Sequence, residues 1–152
     1  MKTGSSATPV TFAVQMSRKN ASKNWHVACS RDGMTPIKSF RDLEVWQVGM
    51  ELNDLIIKTV RKLPRDEFDL KRQMRKASLS IPANVAEGWR RKKRRGAYQN
   101  HVSIAMGSQG ELETELESCF RNDFLNRKES DLAVELCDRV GAMLYRLHDS
   151  LD

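Results

Sequence analysis

Beyond Phe40 the chain holds two prolines, Pro64 and Pro82, and between its few turn signals apolar residues return every three or four positions. That spacing is the helical period and does not fit the two-residue alternation of a half-buried strand. The whole chain has only 8 glycines and 4 prolines, too few for a turn-rich sandwich or barrel. A length of 152 residues fits one domain. No uncharged apolar run approaches the roughly 18 residues of a membrane span.

Residues 1–33 show no sustained periodicity and are rich in Ser, Thr, Asn and Lys, which predicts a disordered leader or an over-long reading frame with Met34 as the working start. The apolar run Val10–Met16, interrupted by Thr11 and Gln15, is too short for a signal peptide. The bundle domain is therefore expected over residues 34–152. A first helix is predicted over about 40–63, capped by Ser39, with Asp42 at its positive end and Pro64 stopping it. It carries two apolar stripes. Leu43, Trp46, Met50, Ile57 and Val60 form one; Val45, Val48, Leu52, Leu55 and Leu63 form the other, on nearly the opposite side. One core needs a single stripe only a little over about 100° wide, so Val45, Trp46, Val48, Leu52 and Leu55 are candidates for a subunit interface. The alternative is deeper burial inside a single bundle.

A second helix is expected over about 70–90, capped by Asp66 or Asp69 and kinked between Ser78 and Pro82. A third, about 97–124, places Val102, Ala105, Leu112, Leu116, Cys119, Phe120 and Phe124 on one face, while Gly107, Ser108 and Gly110 would let another helix come close. Asn126 and Glu129 match a capping box opening a fourth helix with an apolar stripe from Leu132 to Leu147. Four long helices joined by short connections predict an all-α, antiparallel up-down four-helix bundle.

The formal net charge of +6 hides a polarised chain. Residues 61–95 hold 13 basic and 4 acidic side chains, whereas 96–152 hold 5 basic and 11 acidic. Arg72, Arg75 and Lys76 share a helix face with Lys71 nearby, and Arg90, Arg91, Lys92, Lys93, Arg94 and Arg95 form an unbroken run closed by Gly96. Like charges so close repel. An anionic partner relieves them, and phosphate is the natural one because each neutralised phosphate releases condensed counterions. The acidic third and fourth helices answering the same charge is the other reading. Trp89 and Tyr98 flank the run and are either base-stacking platforms or packing residues. Asn84 and Glu87, in an apolar stretch, need partners at the carbonyl freed by Pro82, at a helix end or across a subunit contact.

Catalytic constellations are scarce. His26, His101 and His148 have no Cys, Asp or Glu at a recognised ligand spacing, and no Glu-x-x-His pair suits a di-metal bundle. There is no G-x-S-x-G, Walker loop or G-x-G-x-x-G. Cys29, Cys119 and Cys137 form no CxxC pair, which speaks against a disulfide framework or zinc site and for a reducing compartment. No enzyme, metal or cofactor is expected.

Three motifs in order carry a resemblance: Ser39-Phe-Arg-Asp-Leu-Glu-Val-Trp-Gln47, Ala77-Ser-Leu-Ser-Ile-Pro-Ala-Asn-Val-Ala-Glu-Gly88, and Gly107-Ser-Gln-Gly-Glu-Leu-Glu-Thr-Glu-Leu116. Together they resemble the four-helix-bundle family of 23S rRNA intervening-sequence proteins, which includes relatives of the accessory variability determinant of diversity-generating retroelements. The resemblance covers about residues 38–149. It implies a cytoplasmic bacterial bundle assembling into a ring-like homopentamer without catalytic activity. It also implies nucleic-acid binding and a reverse transcriptase partner for the retroelement relatives. The residues and the resemblance together predict a homo-oligomer that binds RNA or DNA through the basic residues, without a membrane. The rival reading is an adaptor that recruits an acidic protein such as a polymerase.

Overall fold

Ser39 and Asp42 satisfy each other's backbone at the start of the bundle. The Ser39 hydroxyl accepts from Arg41 N at 3.3 Å, and Asp42 Oδ2 accepts from Ser39 N at 2.8 Å and Lys38 N at 2.9 Å. Ser39 thus caps as its residue type dictates, but it caps a single 3-10 turn, Phe40–Asp42. Leu43 is extended, so α1 begins only at Glu44 and ends at Thr59, shorter than its apolar periodicity suggested. The computed structural model describes residues 36–152, apart from the side chains of Arg127 and Glu129. The expected leader, residues 1–33, the start at Met34 and the Glu129 half of the capping box lie outside the described residues.

The other helices are α2 (Phe68–Arg90), α3 (Arg95–Arg121) and α4 (Arg127–Asp149). α2 starts earlier than predicted, after Glu67, with no side-chain cap, so neither Asp66 nor Asp69 serves as one. The helix is continuous across Pro82. α3 ends in a Schellman turn: Phe124 N donates to Cys119 O at 2.9 Å, Asp123 N donates to Phe120 O at 3.1 Å, and Asp123 takes a left-handed φ of 58°.

Each helix packs on its sequence neighbours, and α1 closes the ring on α4. The pairing runs antiparallel throughout. Gly49 and Asn53 of α1 face Pro82 and Ser78 of α2; Ser80 and Asn84 of α2 face Ser108 and His101 of α3; Gln109 and Gln99 of α3 face Cys137 of α4 and Asp152 just beyond it. This is the predicted up-down four-helix bundle. Its core includes Leu52, Ile56, Ile81, Val85, Val102, Leu112 and Leu144, all fully buried. Each such side chain contributes on the order of 1.5–3 kcal/mol relative to exposure.

The second stripe of α1 is covered within one chain except at Leu55, whereas Trp46, Met50 and Ile57 of the first are half-buried. Val45, Val48 and Leu52, assigned above to a subunit interface, are buried between α1's two neighbours, α2 and α4. That assignment is corrected for these three: a helix wedged between two others needs apolar surface on two sides. Trp46 and Leu55 are half-buried, and Trp46 meets Phe40 edge to face at 5.4 Å. Leu132, placed in the α4 core by its spacing, is exposed, and Ala133 is buried instead.

The glycines that matter for packing also differ from the expected ones. A side-chain carbon at Gly107 or Gly110 would meet nothing within 4 Å. At Gly88 it would lie 2.5 Å from the Tyr98 ring and 3.1 Å from His101 Cβ, so the absence of a side chain there lets α2 and α3 close on a fully buried tyrosine. Gly88→Ala is expected to destabilise the bundle by about 1–3 kcal/mol through overpacking. Gly107→Ala, in an open helical position, is expected to stabilise it by up to about 1 kcal/mol. Urea unfolding of the two variants beside the parent protein checks both signs.

Candidate nucleic-acid interface

The basic residues singled out in the sequence do not form one patch. Lys71, Arg72, Arg75 and Lys76 lie near the start of α2, and Arg90–Arg95 lie at its end. A rise of 1.5 Å per residue separates Arg72 from Arg91 by about 28 Å. The bundle therefore carries two cationic poles.

At one pole the six cations are divided among three elements. Arg90 ends α2, Arg95 begins α3, and residues 91–94 form the connection. The turn is tight: Arg91 N donates to Gly88 O at 2.9 Å, Lys92 N to Trp89 O at 3.2 Å, and Arg94 N to Arg91 O at 2.8 Å. Arg91 pairs with Glu87 at 2.8 Å, one helical turn back. Lys92 Nζ sits 3.5 Å from the Trp89 ring centroid, and the guanidiniums of Arg41 and Arg90 lie 4.6 Å and 5.6 Å from that of Phe40. Arg90, Arg91, Lys93, Arg94 and Arg95 are exposed. Among the described residues, no acidic side chain of α3 or α4 pairs with this run, and its ion pair is Arg91 with Glu87.

The flanking aromatics are not stacking platforms. Trp89 is 6% exposed and Tyr98 is 1% exposed, both within the core. Burial also pushes the Tyr98 hydroxyl up to about 12. An apolar hollow of about 130 Å³ lies at this same end, lined by Leu43, Val45, Met143 and Leu147. It is smaller than the roughly 300 Å³ at which ligand pockets begin.

At the other pole Phe68 opens α2 and is 73% exposed. Together with Lys71, Arg72 and Arg75 it lines an open hollow of about 310 Å³. Arg72 pairs with Asp69 at 3.2 Å, with both side chains largely in solvent. Phe68 was missed in the sequence because it was read as loop; its spacing of three, four and seven residues from these cations places all four on one helix face.

Between the poles the α2–α3 seam is polar. Ser108 Oγ donates to Ser80 Oγ at 2.8 Å, and Asn84 Nδ2 donates to Ser80 O at 2.9 Å. Asn84 Oδ1 lies 3.2 Å from His101 Nδ1 and can only accept, which places the hydrogen on that nitrogen. His101 Nε2 is 3.6 Å from Glu87. Asn84 and Glu87 thus find partners within their own chain, along the helix and across the seam, and not at the carbonyl freed by Pro82. Cys119 and Cys137 are buried as expected of small apolar residues, with burial raising both thiols to about 11. Among the described residues, no group of three or more His, Cys, Asp or Glu side chains could hold a metal ion, and no helix is long and apolar enough to cross a membrane.

The profile of the family described as 23S rRNA-intervening sequence protein matches residues 41–146. Among solved structures, the chain is similar to a protein of unknown function from the S23 ribosomal protein family of Bacteroides thetaiotaomicron. The two are 22% identical, with a TM-score of 0.64, over 68% of this chain and 97% of that one. That likeness shows the fold. No curated protein matches the chain.

Two buried polar groups of α3 have no hydrogen-bond partner among the described residues, the Tyr98 hydroxyl and the Glu115 carboxylate. Burial first, and the Glu111 carboxylate second, raise the pKa of Glu115 to about 7. A carboxyl group raised in the folded state favours folding while it is protonated. That contribution is complete below its ordinary value of 4.5 and is lost as pH climbs through about 7. Glu115→Gln is therefore expected to unfold at higher urea than the parent protein at pH 8, with the gap closing towards pH 5. Urea titrations across this window check the sign.

Proposed function

The chain belongs to the 23S rRNA-intervening sequence protein family, and from that premise and the geometry we propose that it is a non-catalytic, oligomeric, cytoplasmic protein that binds the backbone of RNA or DNA through the cations at the α2–α3 connection. The observation that carries this reading is the exposed run Arg90–Arg95, whose neighbours leave all but Arg91 without an acidic partner among the described residues. Such a cluster neutralises phosphates and releases their counterions, a gain that does not depend on base sequence.

Self-association, with five copies as the resemblance implies, is part of the same reading. Such assembly would cover exposed apolar side chains such as Leu79 of α2, 53% exposed, and Ile104 of α3, 45% exposed. Such residues mark association surfaces when they are contiguous. Repeated copies of the cationic run would add avidity on a long polyanion.

The test is fluorescence anisotropy of labelled RNA and DNA oligonucleotides with the intact protein and a variant in which Arg90, Arg91, Lys92, Lys93, Arg94 and Arg95 are all serine. Affinity of the intact protein is expected to fall linearly on a log–log salt plot, and the variant is expected to lose at least about 10-fold with a shallower slope. Absence of binding at low salt overturns the proposal. It leaves an adaptor for an acidic protein, such as a reverse transcriptase, as the working alternative.

A further inference from the structure

We propose that Phe68, Lys71, Arg72 and Arg75 form a stacking subsite for an unpaired base of single-stranded nucleic acid, separate from the α2–α3 connection. This rests on the nucleic-acid reading above and adds to it a second site and a strand preference.

Phe68 stands apart from the aromatics at the opposite pole. There Phe40 is covered by two guanidiniums and Trp46, and Trp89 by the Lys92 ammonium, so neither offers a free face. Phe68 is 73% exposed. A phenyl ring in water is unfavourable, and this one opens onto a hollow whose walls combine the ring and the alkyl stems of cationic side chains with their charged ends. A ligand fitting both features carries a flat apolar face and negative charge within a few ångströms of each other. A nucleotide has both.

The strand preference follows from the same geometry. In a duplex both faces of each base are covered by neighbouring pairs, so a protein ring on a helix surface reaches only backbone. An unpaired base has a face to give, and stacking on it is tolerant of sequence. The flanking phosphates would meet Lys71 and Arg75, and Arg72 by exchanging its exposed and therefore weak pair with Asp69. The acidic Asp66, Glu67 and Asp69 lie close by, but residues 61–76 hold seven cations against these three.

The probe is a labelled oligothymidine of about 15 nucleotides, a length within the range bound by single-strand modules. Its comparisons are an abasic strand of equal length and a duplex. Phe68→Ala is expected to weaken oligothymidine binding about 10-fold while leaving the abasic strand and the duplex unchanged, and Phe68→Trp is expected to restore it. Because the side chain is largely in solvent, the alanine variant keeps the fold, which circular dichroism verifies. Unchanged oligothymidine affinity in Phe68→Ala, or an equal loss on the abasic strand, overturns the stacking subsite. If in either case the intact protein still binds and the six-serine variant does not, the nucleic-acid reading survives alone. If the intact protein binds none of the probes, both fall together.

Discussion

Six like charges gathered at one turn repel one another, and the contact that holds them in place is apolar. Tyr98 lies in the core against the bare backbone of Gly88, and this approach brings the end of α2 and the start of α3 close enough for a four-residue link. Nothing bulkier than hydrogen at position 88 permits it. The cations then sort themselves by what lies beneath: Lys92 covers Trp89, Arg90 approaches Phe40, and Arg91 reaches back to Glu87. Lys93, Arg94 and Arg95 are left projecting. Repulsion is thus borne by the core, and the surface inherits a concentrated positive field.

The same seam shows how a bundle of similar helices fixes its register. Apolar stripes alone allow one helix to slide a turn along another with little loss. Ser80 with Ser108, and Asn84 with His101, tolerate no such slip, because each would leave a half-buried polar group without its partner. Asn53 with Ser78 plays this part between α1 and α2. The Tyr98 hydroxyl and the Glu115 carboxyl group are buried without such partners, and burial favours the protonated form of Glu115.

Helix number, order and the antiparallel pairing could be read from periodicity, because apolar spacing is a property of each segment alone. The role of α1 could not. Its second stripe suggested a partner subunit, yet Val45, Val48 and Leu52 face neighbours of their own chain; spacing shows how many sides of a helix are buried, not whose atoms bury them. Glycine was misread for a related reason. Gly107 and Gly110 are on an open surface while Gly88 carries the close approach, since the demand for a missing side chain comes from the residue opposite, Tyr98. Charge counted along the chain merged two cationic groups that a rigid helix holds apart. Trp89 and Tyr98 were candidates for their position beside the run and proved to be core, whereas Phe68 was hidden in what looked like a loop.

That separation has a consequence for the size of any polyanion the surface meets. The two poles of α2 are about 28 Å apart, and the outer face between them exposes Leu79 and Ala83, with no cation from Ser78 to Gly88. A flexible anionic chain shorter than this gap can occupy one pole only. Once long enough to bridge, it finds the second pole at an effective concentration in the millimolar range or above. On the proposed polyanion binding, a helix of fixed rise with cations only near its ends would act as a molecular ruler, and contour length, which no side chain reads, would become a quantity it discriminates.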